Sequence, residues 1–288
     1  MSSCVTLSSG HKIPLVGLGT WKSQAVLTAL DCGYRHIDCA AAYSNEQEVG
    51  QALAQRLGPG KALRREDVFL TSKLWNTQHH PDDVETACRK SLIHLGLNYL
   101  DLYLMHWPMA FHVCYDDIHY QETWVAMESL VDKGLVRAIG LSNFNARQID
   151  DVISIVCVTV CVFQGCRCMC VIICVCSRSV GVCVTAYSPL GSGDRPWASP
   201  DELCLLQDPG LGAIALRHSM TPAQVILRWQ VQRGVVCIPK SVTPSRIQQN
   251  LQVFDFSLSD EDMKQMESFS RNERYIVPAV EVSSDCLR

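Results

Sequence analysis

The feature that most constrains this chain is a repeated alternation of short apolar runs with longer amphipathic stretches. The apolar runs are Val16–Thr20, His36–Ala40, Val68–Leu74, Leu100–Trp107, Val136–Asn143, Val182–Ser188 and Val235–Lys240. They are nearly continuous in Val, Ile and Leu, the pattern of parallel strands buried on both faces. Between most of them lie segments with helical periodicity: 44–57, 82–95, 120–133, 145–154 and 221–233, with 243–251 after the last run. Asn145, Thr221 and Thr243 stand where N-caps belong, and Pro222 and Pro244 follow two of them at the first helical position. Alternating β and α over this length predicts a parallel α/β fold. At 288 residues the chain suits a single (β/α)8 TIM barrel, which typically takes about 250. The expectation is one domain spanning residues 1–288.

Seven strands are clear, and the eighth belongs between Ile153 and Val182, where the pattern fails. Sixteen cysteines are present, and eight of them crowd between Cys157 and Cys183. The first half of this stretch, Val156–Phe163, suits a buried strand. The second half has no amphipathic period and few strong helix formers, so the sixth βα unit is expected to be irregular. Three readings of residues 156–183 stand side by side. The run is apolar enough for a membrane span, but Gln164, Gly165 and Arg167 interrupt it. Cys166, Cys168, Cys170, Cys174 and Cys176 could bind a soft metal, although their spacing lacks the paired C-x2-C of common zinc sites. The third reading is that the run is not selected protein sequence, since Val-Cys-Val-Cys is what a GTGTGT repeat encodes. This is the reading preferred, and no metal is expected.

The remaining cysteines, such as Cys39 and Cys237, sit in apolar contexts and read as small core residues. A net charge of −4 without charge blocks argues against a nucleic-acid partner. Residues 1–14 carry no cationic segment followed by an apolar one, so a cytosolic protein is expected, with no disulfide framework and no membrane partner.

Polar residues fall at strand C-termini, where barrel enzymes build active sites. Asp38 follows His36 and Ile37, with Tyr43 shortly after. Lys73 and His106 end two further runs. Singly, each has an ordinary structural explanation; as a set they form a proton-delivery unit. A phenol ordinarily titrates near about 10. Lys73 is expected to lower the pKa of Tyr43, Asp38 to hold Lys73, and His106 to orient a carbonyl oxygen.

The runs starting Gly17-Leu-Gly-Thr-Trp-Lys, Gly33-Tyr-Arg-His-Ile-Asp, Thr71-Ser-Lys-Leu-Trp-Asn, Leu102-Tyr-Leu-Met-His-Trp-Pro, Gly140-Leu-Ser-Asn-Phe-Asn, Thr185-Ala-Tyr-Ser-Pro-Leu-Gly and Ile238-Pro-Lys-Ser-Val-Thr-Pro resemble the aldo-keto reductase family. The resemblance covers most of the chain. It implies NADPH-dependent reduction of aldehydes, and by extension ketones, with Asp38, Tyr43, Lys73 and His106 as catalytic tetrad and Tyr43 as proton donor. It implies that Ser142 and Asn143 hold the nicotinamide carboxamide of NADPH/NADP+, that Tyr187 stacks on the nicotinamide ring, and that Thr20 and Trp21 also contact the cofactor. Lys240, Ser241, Arg246 and Asn250 would bind its 2′-phosphate end. Lys240 and Arg246 supply cations at a strand end and helix start, and no acidic residue is expected beside them to claim a free ribose hydroxyl, so NADPH is expected to be preferred over NADH. Trp21, Trp75, Trp107 and His106 would line the pocket of a small carbonyl substrate. A monomer is expected.

Departures from the family are also legible. The helix after Trp21 and the loop after His106 are short, and the chain ends soon after Arg274-Tyr-Ile-Val-Pro. The family's nicotinamide-binding Gln and the residues after it have no counterpart in the Cys-rich run. Gln164 stands too early relative to Asn143, and its position is taken as coincidence. The competing expectation is therefore a non-catalytic product that keeps the motifs without a complete barrel.

Overall fold

A computed structural model describes residues 3–22, 25–111, 116–157, 160–166, 181–199, 202 and 204–269. The chain opens with an antiparallel hairpin that the sequence reading did not anticipate, β1 (Cys4–Thr6) and β2 (Lys12–Pro14). Its strands are only three residues long, too short to show a period. Leu7 and Ile13 bury into the main core, and the Ser8 hydroxyl reaches Cys161 Sγ at 3.3 Å.

Eight parallel strands follow: β3 (Leu18–Gly19), β4 (His36–Asp38), β5 (Phe69–Leu74), β6 (Leu102–Met105), β7 (Ile139–Ser142), β8 (Val162–Cys166), β9 (Cys183–Tyr187) and β10 (Val236–Ile238). Each pairs with the next in chain order. Closure comes from a parallel bridge between Val16 and Cys237, with Gly17 N donating to Cys237 O and Cys237 N to Leu15 O, both at 2.9 Å. Every residue of β5, β6 and β7 is buried, which is why those runs carry no polar alternation. The expected (β/α)8 barrel is therefore present, with its first and last strands joined.

The strand in the Cys-rich run lies later than the Val156–Phe163 expected from sequence. β8 pairs with β7 through Gly140–Val162, Leu141–Phe163 and Ser142–Gln164, and with β9 through Val162–Cys183 onward. A Val- and Cys-rich run has no internal register marker, so pairing on both sides selects its position. Gly140 is part of that selection: a Cβ there would lie 2.3 Å from the Val162 carbonyl oxygen. Val162 and Phe163 are buried, and covering a side chain such as Phe163 contributes about 1.5–3 kcal/mol. The second half of the run, expected to make a poor helix, lies outside the described residues, as do Cys168, Cys170, Cys174 and Cys176 of the metal set weighed there; Cys166 ends β8. Among the described residues no His, Cys, Asp and Glu cluster could hold a metal ion, and no helix is long and apolar enough to cross a membrane.

Among the described residues the helices are α1 (Val26–Asp31), α2 (Glu46–Arg56), α3 (Pro81–Leu95), α4 (Tyr120–Asp132), α5 (Ala146–Ile153), α6 (Pro209–Arg217), α7 (Pro222–Gln232), α8 (Pro244–Leu251) and α9 (Asp260–Ser268). Asn145 and Thr221 cap α5 and α7 through reciprocal boxes with Gln148 and Gln224. Thr243 precedes α8 without a side-chain cap bond, contrary to expectation. The sequence reading missed α6 and α9. The latter is strongly polar, and it buries Met266 and Asp262.

Candidate active site

The C-terminal ends of the barrel strands open onto one cavity of about 1020 Å³. Every site residue expected from sequence lines it: Thr20, Trp21, Asp38, Tyr43, Lys73, Trp75, His106, Trp107, Ser142, Asn143, Tyr187, Lys240, Ser241, Arg246 and Asn250.

At the deep end, Lys73 Nζ donates to Asp38 Oδ1 at 2.5 Å and to the Cys39 carbonyl at 2.7 Å. Both side chains are almost wholly buried, so this is an ion pair removed from solvent. Strand pairing sets it up, because β4 and β5 are neighbours and Asp38 aligns with Thr71, two residues before Lys73 on the same face. Burial pulls the Lys73 pKa down, but the Asp38 charge and Tyr43 together hold it above the ordinary lysine value. Tyr43 ends a single 3-10 turn (Ala41–Tyr43), and Lys73 Nζ stands 5.1 Å from its ring centre. His106 meets Tyr43 edge-on at 5.8 Å and Trp75 at 5.3 Å. Burial, then the Lys73 charge, push the His106 pKa well below its ordinary value, so its imidazole is neutral near pH 7.

One electrostatic expectation is corrected here. Lys73 does act to lower the Tyr43 pKa, but burial outweighs it and the phenol ends above its ordinary value. Tyr43 thus holds its proton at neutral pH, the state an acid needs.

Gln164 was set aside as coincidence, and that is also corrected. Its Nε2 donates to Asp38 Oδ2 at 2.9 Å, and its side chain is buried within the cavity wall. Its Oε1 has no hydrogen-bond partner among the described residues. A signal was available: Gln164 is the polar residue near the C-terminal end of an apolar strand, the same placement as Asp38, Lys73 and His106. Beside it, Asn143 N donates to Gln164 O at 3.0 Å. Asn143 adopts a left-handed backbone, φ 66°, which Asn tolerates better than most residues. Its Nδ2 donates to His106 O at 2.9 Å and Ser142 Oγ at 3.1 Å, and its Oδ1 accepts the Tyr187 hydroxyl at 2.6 Å.

The other end of the cavity is formed by the turn from β10 into α8. Lys240 Nζ donates to Asp194 Oδ2 at 2.5 Å. The expectation that no acidic group stands beside Lys240 and Arg246 is therefore wrong for Lys240, because the segment after β9 carries Asp194 across 46 positions of sequence. Arg246 is exposed and makes no ion pair among the described residues. Trp197, also unforeseen, packs near Trp21 at 6.4 Å, and Phe111 meets Trp75 edge-on at 6.0 Å. These aromatic groups give the cavity apolar walls around its few convergent polar atoms.

The residues present suit a nicotinamide dinucleotide. The orphaned Gln164 acceptor and the Ser142–Asn143 polar edge match a carboxamide, and Arg246 at a helix start matches a phosphate.

Comparison with known proteins agrees with this geometry. The sequence model of the aldo/keto reductase family matches residues 20–271. Aldo-keto reductase family 1 member A1-A of Danio rerio is 62% identical over 302 residues, covering 97% of this chain and 93% of its own. The human family 1 member A1 protein is 56% identical over 303 residues, covering 98% and 93%. Among solved structures, the aldose reductase of Schistosoma japonicum superposes with a TM-score of 0.86 at 42% identity, covering 95% of this chain and 94% of that one. The Bombyx mori aldo-keto reductase in complex with NADP gives 0.88 at 38% identity, with the same coverage. With its barrel, its cavity and these relatives in agreement, the chain belongs to the aldo-keto reductase family.

Proposed function

We propose that this chain is an NADPH-dependent reductase that converts aldehydes, and ketones that fit the same pocket, into alcohols, with Tyr43 as proton donor. The observation that carries the reading is the convergence of Tyr43, the buried Lys73–Asp38 pair and neutral His106 at one end of a cavity whose other end presents Arg246 and Lys240. NADPH, when bound, supplies the hydride. Ser142, Asn143 and Gln164 would hold its carboxamide, and Tyr187, Trp21 and Thr20 would contact its nicotinamide end. Lys240, Ser241, Arg246 and Asn250 would hold its 2′-phosphate end.

A carbonyl substrate lies among Trp21, Trp75, Trp107 and His106. A ring N–H of neutral His106 orients its oxygen. As that oxygen gains negative charge, the Tyr43 O–H delivers its proton, and the Lys73 ammonium stabilises the phenolate left behind. Asp38 keeps Lys73 charged and in place.

The competing reading, a motif-bearing product without a complete barrel, is disfavoured by the two-sided pairing of β8. The chain is read as one domain over residues 1–288, with the Cys-rich run at 156–183 inside it. The chain is read as acting as a monomer. The buried unpaired thiols Cys39, Cys88 and Cys237 suit the cytosol. The test is NADPH oxidation by the purified chain with nitrobenzaldehyde. Aldehyde-dependent oxidation supports the proposal, whereas NADPH binding without turnover favours the non-catalytic reading.

A further inference from the structure

A second buried carboxylate lies close behind the site and takes no part in the chemistry above. Glu46 opens α2 and is 4% exposed. Its Oε1 accepts the Ser72 hydroxyl at 2.6 Å, and its Oε2 accepts the Ser91 hydroxyl at 3.0 Å. Ser72 directly precedes Lys73 on β5, with its side chain on the opposite face of the strand. Ser91 lies on α3. Glu46 therefore joins three elements: α2, which begins three residues after Tyr43, the strand carrying Lys73, and α3.

Glutamate is almost never buried unless it is paired, because an apolar group fills the same space without a desolvation cost. What a carboxylate adds is direction. Its two oxygens accept from two fixed donors, so the first turn of α2 can neither rotate nor slide without breaking one bond. The approach of α2 to α3 is close on the same side, where a Cβ on Gly50 would lie 2.3 Å from His94 O. On the other side of the turn, Asn45 Nδ2 donates to Thr20 O at 2.8 Å, tying the same segment to the end of β3. Tyr43 itself rests on only one 3-10 turn, and Ser44 beside it has a left-handed backbone, φ 55°. Such a short turn does not hold a side chain by itself.

We infer that Glu46 is a positioning residue, acting through Ser72 and Ser91 to hold the Tyr43 hydroxyl against Lys73 and the substrate oxygen. The inference rests on the reading of Tyr43 as proton donor. A displacement of about 1 Å in a reacting group can cost up to ~10²-fold in rate.

The test is a double-mutant cycle. Glu46→Gln and Ser72→Ala are made singly and in the Tyr43→Phe background, with kcat, KM for nitrobenzaldehyde, NADPH Kd and thermal midpoint measured for each. In the Tyr43 protein each substitution is expected to lower kcat by about 10-fold, leaving KM and NADPH Kd within about two-fold. In the Tyr43→Phe background neither should cost anything further, because the group being positioned is gone. A purely structural role would lower the thermal midpoint and act equally in both backgrounds. That equal loss, or an unchanged kcat in both single variants, overturns the inference while leaving Tyr43 as donor. Near-normal turnover in Tyr43→Phe alone overturns the donor reading and this inference with it. If Glu46→Gln fails to fold, Ser72→Ala, which deletes one hydroxyl, carries the cycle.

Discussion

Gln164 Nε2 donates to Asp38 Oδ2 across 2.9 Å, linking residues 126 positions apart in the chain. With Lys73 on the other oxygen, Asp38 is held by one charged and one neutral donor. Gln164→Leu keeps the size of the side chain but leaves that oxygen without its N–H. Hydrogen bonds to charged groups contribute about 1.5–3 kcal/mol, so we expect at least about a 10-fold fall in turnover. NADPH binding should weaken in parallel. Steady-state kinetics with fluorescence titration of NADPH measure both, and unchanged values would return Gln164 to the status of a bystander.

Tyr43→Phe removes the one proton that the mechanism delivers to the carbonyl oxygen. General acid catalysis is worth about 10²–10⁴-fold, and turnover of nitrobenzaldehyde should fall by at least the lower figure. NADPH affinity should persist, since the substitution deletes no cofactor contact. Turnover close to that of the unsubstituted chain would remove Tyr43 from its role.

Lys240 and Arg246 should behave differently, because among the described residues Lys240 is paired with an acidic residue and Arg246 is not. Arg246→Met should weaken NADPH by about 10-fold or more, in line with a charge-assisted contact, and leave NADH within about two-fold. Lys240→Met also releases Asp194, so it should cost affinity for both cofactors. Dissociation constants for the two cofactors separate these cases, and equal losses with Arg246→Met would mean that Arg246 does not read the 2′-phosphate.

The buried histidines predict acid sensitivity. Burial pushes His36 and His79 down to about 4, and His106 well below its ordinary value. The unfolded chain binds protons at these positions near pH 6.5 while the folded protein does not. Their stabilising effect is therefore complete above pH 6.5 and is lost as pH falls from there toward 4. Each such group removes about 1.4 kcal/mol per pH unit in that window. Urea midpoints measured from pH 7 to 4.5 should drop steeply, and His79→Gln should flatten the slope by roughly one histidine's share. A slope untouched by His79→Gln would show that His79 is protonated without penalty.

The sequence by itself determined the barrel and the positions of most of its helices. Hydrophobic period is a local property, so segments such as 120–133 and 145–154 differ from the observed helices by only a residue or two at their ends. The same holds for Asp38, Lys73 and His106, since a polar residue ending an apolar strand of a parallel barrel is carried to the same rim. Tertiary structure alone decided the rest. The run around β8 carries no marker of register, so only pairing against Gly140 and Cys183 brought Gln164, and not a neighbour, to Asp38. Asp194 reaches Lys240 from another loop, a contact that no local pattern encodes. The direction of the Tyr43 shift depended on a competition between the Lys73 charge and desolvation, and burial, a property of the packed barrel, decided it.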